Sequence, residues 1–288
     1  MTPTWAYLPR ARFSALARPW LDEHAVDANV VVTVLAALEA GEVGYEAERW
    51  AVAVERGSVV GVVMHTAPYP PWLPGVGTDA ARALADAWCT EGVRLRALNG
   101  DTTATTAFAA RWRELTGARP RVVLSEGVHV LDALVPPEGV LGRLRPAAAA
   151  DTDLVVRWLN AFAEEALPGR PPGLDERGVR RRLDAGRLLL WEHAGRPVSL
   201  AQWHPWPGGI GRLGPVYTPP EHRGHGYAAA VTAAATQAVL DAGGRGVMLF
   251  TDRANPTSRG VYARLGYREV GGVVEWEFDG PQPDGGPP

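Results

Sequence analysis

The sequence calls for a mixed α/β (α+β) architecture in two tandem units, and three observations carry that expectation. Segments with apolar residues on one helical face alternate with short runs rich in Val, Leu and Trp. Two such runs meet across Arg56-Gly57-Ser58 and two more across Gly195-Arg196-Pro197, which are hairpin signatures. The order of elements in the second half is echoed, more weakly, in the first. At 288 residues with 46% hydrophobic content, the chain suits two domains of ordinary size, each with a core. The boundary is expected near Pro136-Pro137-Glu138-Gly139, giving units 1–138 and 139–279 and a Pro/Gly tail, 280–288, that should be disordered.

In the first half, residues 50–55 and 59–65 form the hairpin. A Pro/Gly loop, a helix over 78–89, a strand over 93–98, a helix over 102–116 and a strand over 122–124 follow. Pro74-Gly75-Val76-Gly77 leads into the first of these helices, with Thr78 as an ordinary cap.

In the second half, a short strand at 142–145 runs into a helix over 151–166, where Leu154, Trp158, Ala161 and Phe162 share one face. Pro168-Gly169-Arg170-Pro171-Pro172-Gly173 breaks it. An arginine-rich helix over 174–185 and the hairpin strands 188–191 and 198–203 come next. The strand over 210–218 is interrupted by Pro215, which marks an edge or a bulge. A helix over 227–242, with Tyr227, Val231, Ala234 and Ala238 on one stripe, stops at Gly243-Gly244. Residues 247–251 form a buried strand, Asn255-Pro256 opens the last helix, Gly266 closes it, and strands at 267–270 and 273–278 complete the unit.

Composition excludes several classes. A formal net charge of -3 gives no global positive field, so neither a nucleic acid nor a membrane is an expected partner. Cys89 is the only cysteine, which rules out an intramolecular disulfide and fits a reducing, cytoplasmic setting. Residues 1–21 scatter Arg10, Arg12 and Arg18 among apolar residues and never build the apolar core of a signal peptide. There is no apolar run of transmembrane length, and the seven histidines show no metal-ligand spacing, so no metal is expected.

The most informative stretch is Glu221-His222-Arg223-Gly224-His225-Gly226-Tyr227-Ala228, which joins a strand to an alanine-rich helix lacking an ordinary N-cap. The first N–H groups of a helix have no intrahelical acceptor, and Ser, Thr, Asp or Asn usually supplies one. Here the cap positions read Gly-His-Gly. Glycines let the backbone approach a ligand, and the helix dipole favours an anion such as phosphate, so a phosphorylated cofactor is expected.

Strand, Arg223-Gly224-His225-Gly226-Tyr227-Ala228, helix, strand, then Asn255 and Tyr262 on the next helix: this series resembles the GNAT superfamily of N-acetyltransferases. The loop fits R-x-x-G-x-[GA], and the last helix reads Asn-Pro-x-Ser-x-x-x-Tyr before Leu-Gly-Tyr. The resemblance covers about residues 143–278 and points to a bacterial two-domain branch. It implies a central, mostly antiparallel twisted sheet flanked by helices, with a degenerate first domain lacking the phosphate loop and a complete second one. It implies acetyl-CoA as cosubstrate, its pyrophosphate held by backbone N–H groups of Arg223, Gly224, His225, Gly226, Tyr227 and Ala228. Val216, Tyr217 and Thr218 would pair with the pantetheine amides, and Asn255, with Ser258 on the same helix face, would contact the cofactor arm. Tyr262 would protonate the departing thiolate after direct attack by a small-molecule or peptide amine. The resemblance leaves a homodimer open.

Plainer readings stand beside these. Asn255 is a helix cap whatever else it does, Tyr262 serves equally as a core aromatic, and His222 and His225 read as exposed loop residues. For the base that deprotonates the amine, Glu164, Glu165, Glu275 and Glu277 are all candidates, and each also reads as a solvated carboxylate. Trp203, His204 and Trp206 crowd one strand end, as an acceptor pocket or as core. The alternative from another class is a non-catalytic acyl-CoA binding or sensor protein.

Overall fold

The computed structural model describes residues 2–166, 176–204 and 209–283. In chain order its elements begin with β1 (Thr4–Leu8), α1 (Arg10–Glu23), α2 (Asn29–Glu39), β2 (Ala47–Glu55), β3 (Ser58–Ala67) and β4 (Trp72–Leu73). There follow α3 (Thr78–Thr90), β5 (Ala97–Asp101), α4 (Thr102–Thr116), β6 (Arg119–Leu131) and β7 (Arg143–Pro146). The remainder is α5 (Thr152–Ala166), α6 (Glu176–Asp184), β8 (Leu188–His193), β9 (Arg196–His204), β10 (Ile210–Tyr217), α7 (Tyr227–Asp241), β11 (Gly246–Asp252), α8 (Pro256–Arg264) and β12 (Tyr267–Asp279). Among the described residues, none of the helices is long and apolar enough to cross a membrane, and no cluster of acidic, His and Cys side chains could hold a metal ion.

The chain divides into two compact units, and each is discontinuous. One takes residues 2–38, 44–127 and 271–283, and the other 39–43 and the described part of 128–270. A single cut near residue 139 was expected instead. The two final strands of that expectation are one strand, β12, whose residues from 271 onward belong to the first unit.

In the first unit the strand order is β1-β2-β3-β4-β5-β12. β12 pairs antiparallel with β5 from Val273↔Asp101 to Glu277↔Ala97. The reason lies in packing: Phe278 sets its ring edge-on to buried Phe108 and Trp112, at 6.3 and 6.5 Å, and Trp276 donates its indole N–H to Thr105 Oγ1 at 3.2 Å. Glu275, read as solvated, is buried and accepts from Asn99 Nδ2 at 3.1 Å, and Glu277 pairs with Arg121. The start of the tail is held too, since Gln282 Oε1 accepts the Leu95 N–H at 3.1 Å. Residues 284–288 lie outside the described residues.

Three local expectations in this unit need correction. β5 starts at Ala97, not 93, because Val93 and Leu95 are buried without joining the ladder; alternation there reports burial alone. β6 runs thirteen residues where three were read. Thr78 is the first helical residue and the cap position is Gly77, with no side-chain cap bond. β4 and β5 approach closely at Leu73↔Gly100, where any Cβ on Gly100 would fall 1.8 Å from the Leu73 carbonyl oxygen.

In the second unit β11-β10-β9-β8-β7 follow one another. β10 and β11 are parallel and the other pairs antiparallel; β8 and β9 are joined by a hairpin of two residues, 194–195, as only an antiparallel pair allows. One face of this sheet packs Ala201, Leu213, Val247 and Leu249 against Val231, Ala235 and Val239 of α7. The other packs Leu188, Leu190, Leu200 and Tyr217 against Val155, Trp158 and Leu159 of α5 and Val179 of α6. Arg145 ties β7 to both neighbours, with Nη1 2.7 Å from Asp151 Oδ2 and Nε 2.8 Å from Glu192 Oε2. The breaker at 168–173, the predicted first turn of α6 and Trp206 lie outside the described residues.

Candidate active site

Around residue 214 the sequence of β10 forces a break in the sheet. Arg212↔His204 and Leu213↔Trp203 pair in register, and pairing resumes at Val216↔Ala201 and Tyr217↔Leu200. Gly214 and Pro215 therefore oppose the single residue Gln202, which is a β-bulge. On the other edge, the parallel ladder with β11 ends at Leu213↔Leu249, although β10 continues to Tyr217 and β11 to Asp252. Beyond the bulge, Val216 and Tyr217 thus have a registered partner on one side only.

Two polar contacts hold this geometry. Buried Ser199 donates its hydroxyl to the Tyr217 carbonyl at 3.1 Å and lies 2.8 Å from Thr218 Oγ1. His204 Nε2 sits 2.9 Å from the Gly214 carbonyl and 3.3 Å from Gln202 Nε2. A carbonyl only accepts, so Nε2 carries the proton and the shorter contact is the hydrogen bond. Burial, and after it the nearby Arg212, Arg182 and Arg187, push the His204 pKa well below the ordinary imidazole value and keep the ring neutral.

Past Tyr217 the chain makes a short 3₁₀ turn, Pro220–His222, and enters the glycine loop. Gly224 and Gly226 take positive φ, 81° and 79°. A Cβ on Gly226 would also come within 2.9 Å of Val140 Cγ2, so both conformation and space require glycine there. Gly226 occupies the cap position of α7 with no side-chain cap bond. Among the described residues, the N–H groups of Gly224, His225, Gly226, Tyr227, Ala228 and Ala229 meet no protein acceptor, and residues 223–226 are exposed. The open helix start matches the sequence expectation from Gly224 to Ala228, but not at Arg223, whose N–H already donates to the Pro220 carbonyl at 3.2 Å as the chain closes its 3₁₀ turn.

The side chains of the loop are engaged. Arg223 Nε donates to the Thr218 carbonyl at 2.9 Å, Nη2 reaches Glu165 Oε2 at 2.6 Å, and the guanidinium lies 5.9 Å from the Tyr217 ring centroid. The Tyr217 hydroxyl donates to the other oxygen of Glu165 at 3.0 Å. His225 donates Nδ1–H to the Arg223 carbonyl at 2.8 Å, and its ring stacks on Tyr227 at 5.5 Å.

After β11, Asn255 caps α8 by accepting the Ser258 N–H on Oδ1 at 3.1 Å. Ser258 and Tyr262, one turn apart, share a helix face. Tyr262 packs against the same core cluster as Val216, and its ring meets Tyr267 edge-on at 6.1 Å. Heavy atoms crowd it closely although part of the side chain stays accessible, and burial raises its pKa to about 12. Its hydroxyl has no protein partner among the described residues.

The sequence-predicted residues thus fall on two segments, 216–228 and 255–262, on either side of the place where β10 and β11 part. Sequence reasoning missed Ser199 and the clasp made by Glu165. Neither carries a local signal: the Glu165 partners are 52 and 58 residues away.

A mixed sheet whose parallel pair parts beside an uncapped, glycine-bearing helix start is the architecture of an acetyltransferase domain. Residues 153–267 match the model of the Acetyltransferase (GNAT) family. A mycothiol acetyltransferase from Salinispora arenicola is 33% identical over 220 residues, spanning 70% of this chain and 68% of that one. A second, from Pseudarthrobacter chlorophenolicus, is 29% identical over 253 residues, 82% of this chain and 74% of that one. Among solved structures, a tandem GNAT protein from the clavulanic acid biosynthesis pathway superposes with a TM-score of 0.60 at 16% identity, covering 97% of this chain and 99% of that one, a likeness of fold. The chain belongs to the GNAT family and is an acetyl-CoA-dependent N-acetyltransferase.

Proposed function

We propose that this chain moves the acetyl group of acetyl-CoA to a primary amine by direct attack in a ternary complex built on the second unit. One observation carries the reading: six consecutive N–H groups without an acceptor among the described residues, at the start of α7 and next to an open strand edge. Such a helix start favours a diphosphate. Val216, Tyr217 and Thr218 would pair with the pantetheine amides as an added strand does. Pro215 has no N–H, so Val216 is the residue at the bulge whose N–H would meet charge growing on the thioester oxygen.

Asn255 uses Oδ1 for its own helix, which leaves Nδ2 to donate toward the cofactor arm, with Ser258 beside it. Tyr262 would donate its proton to the leaving thiolate; with a pKa of about 12 it stays protonated at neutral pH. Acetyl-CoA supplies an activated thioester, and the residues bind, align and protonate around it.

The first unit reads as a domain of the same shape without a donor site. Only four residues (74–77) join β4 to α3, against nine (218–226) between β10 and α7. Asp27 Oδ2 lies 3.2 Å from where a Cβ on Gly75 would sit, placing a carboxyl group where phosphate would need room.

Thiol release from acetyl-CoA with a panel of amines tests the reading, and the acceptor of the mycothiol acetyltransferase reaction belongs in that panel because two relatives bear that name. Acceptor-dependent release is expected. Binding of acetyl-CoA with no release for any acceptor would instead point to an acyl-CoA sensor.

A further inference from the structure

The first unit holds a cleft of about 980 Å³, near the upper end of the range for small-molecule sites. Three segments of that unit line it: the loop 68–71 before β4, residues 94–97 entering β5, and the end of β12 with the tail as far as Gln282. β4 and β5 run parallel, so the cleft lies where both strands begin, at the opposite end from the 74–77 loop. Its walls are fixed. Asn99 donates its N–H to the Pro71 carbonyl at 2.9 Å, Leu95 donates its own to Gln282, and Pro68, Pro70 and Pro71 set φ at three of the four loop positions. Between those prolines Tyr69 donates its N–H to the Thr66 carbonyl at 3.0 Å and sets its ring edge-on to Tyr45 at 6.1 Å, yet it remains 47% exposed. A ring held in this way offers a stacking surface at little cost in side-chain entropy.

Val93 and Leu95 turn into the core, so Arg94 and Arg96 turn outward on one side of the segment, roughly 7 Å apart at about 3.3 Å per residue. Among the described residues neither guanidinium has a hydrogen bond or an ion pair. Of the two carboxylates on the cleft, Glu277 is taken by Arg121, and exposed Asp279 has no bonded cation among the described residues. Two guanidinium forks, one aromatic face and one carboxylate acceptor are therefore open to a ligand. A phosphate monoester carries about −1.5 to −2 charges at neutral pH, which suits two forks where a single carboxylate would suit one. A nucleobase supplies both a planar face for a tyrosine ring and, in its exocyclic amine, a donor that a carboxylate accepts.

We propose that this cleft binds a nucleoside monophosphate, with its phosphate on Arg94 and Arg96, its base on the Tyr69 ring and the base amine toward Asp279. The inference stands apart from the acetyl-transfer reading, whose donor loop belongs to the other unit. It gives the first unit a ligand of its own.

The test is calorimetry of the full chain with AMP, adenosine and inorganic phosphate. AMP should bind about tenfold tighter or more than either fragment, since it alone engages both the forks and the ring. Arg94→Met with Arg96→Met should bring AMP down to the level of adenosine. Both side chains are exposed, so the fold should survive, and circular dichroism checks that it does. Lysine at both positions should keep part of the affinity, because charge stays while the fork is lost. Tyr69→Leu should cost AMP about tenfold. AMP shares its adenosine phosphate with CoA, so Gly226→Ala serves as the control: it alters the loop of the other unit and should leave AMP affinity unchanged. Absence of AMP binding at millimolar concentration, or equal affinity for all three probes, overturns the inference. So does AMP binding that survives in the double methionine variant and disappears with Gly226→Ala, which would put the nucleotide on the α7 loop.

Discussion

Glu165, next to last in α5, holds Arg223 across 58 residues of sequence, with Nη2 2.6 Å from Oε2, and its second oxygen accepts from the Tyr217 hydroxyl. The end of α5 is thereby fastened to both the strand and the loop of the candidate donor site. A carboxylate shared between two donors in this way is a structural clasp joining helix, strand and loop. Both partners of the ion pair are about half exposed, so its own worth is small, about 0.2–1 kcal/mol. Glu165→Ala should weaken acetyl-CoA binding by about two- to fivefold and leave Tm nearly unchanged. A loss of a hundredfold by calorimetry would mean that Glu165 does more than hold the loop.

Gly226 faces two constraints at once, a φ of 79° and Val140 at 2.9 Å from any added Cβ. Gly226→Ala should cost the loop about 1–2 kcal/mol in backbone strain and shift its N–H groups. Acetyl-CoA affinity should fall about tenfold or more, while far-ultraviolet circular dichroism stays native. Undiminished affinity would remove the pyrophosphate from this loop.

Because the Tyr262 hydroxyl has no protein partner among the described residues, Tyr262→Phe orphans none of them and should leave both fold and acetyl-CoA affinity intact. Turnover should drop by roughly 10²–10⁴-fold if the phenol is the acid. The raised pKa adds a pH criterion: the protonated form persists up to about 12, so kcat should show no falling alkaline limb through pH 10. A limb near the ordinary tyrosine value would contradict the assignment.

Arg145 holds Asp151 and Glu192 below the usual carboxylate range, in each case chiefly by its hydrogen bond to them. A carboxylate whose pKa is depressed by folding adds stability above its unfolded pKa and loses it as pH falls through the folded value. Thermal stability should therefore be flat near neutrality and decline below about pH 4, the ordinary carboxylate region. Arg145→Met should lower Tm at pH 7 by a few degrees and flatten the acid decline. An acid profile identical to that of the unaltered protein would place the acid sensitivity elsewhere.

Truncation after Val270 removes the strand that pairs with β5 and the Phe278 ring against Phe108 and Trp112. The loss of so large a buried aromatic alone costs about 3–5 kcal/mol. The truncated chain should lose the cooperative unfolding of its first unit and become protease-sensitive within residues 2–127. Native-like resistance there would show that the first unit needs no help from the C-terminal strand.

Structure is legible in the sequence where its cause is local. The helix over 102–116, the Asn255 cap, the Pro215 bulge and the uncapped start of α7 all follow from side chains acting on their own backbone. The β5 start, the length of β6 and the ownership of residues 271–279 were not legible, because strand pairing is decided by partners far away in the chain.

The amino-acid sequence alone determined the two-unit α+β plan and the uncapped, glycine-bearing helix start at 224–228, since helix starts, glycine conformations and apolar periodicity are properties of short segments. Tertiary structure alone decided that Glu165 clasps Arg223, that Glu275 is buried on Asn99, and that Arg182, Arg212 and His204 meet beside the bulge. Such contacts join residues that only the packed sheet and its helices bring within hydrogen-bonding or Coulomb range, and no spacing along the chain encodes them.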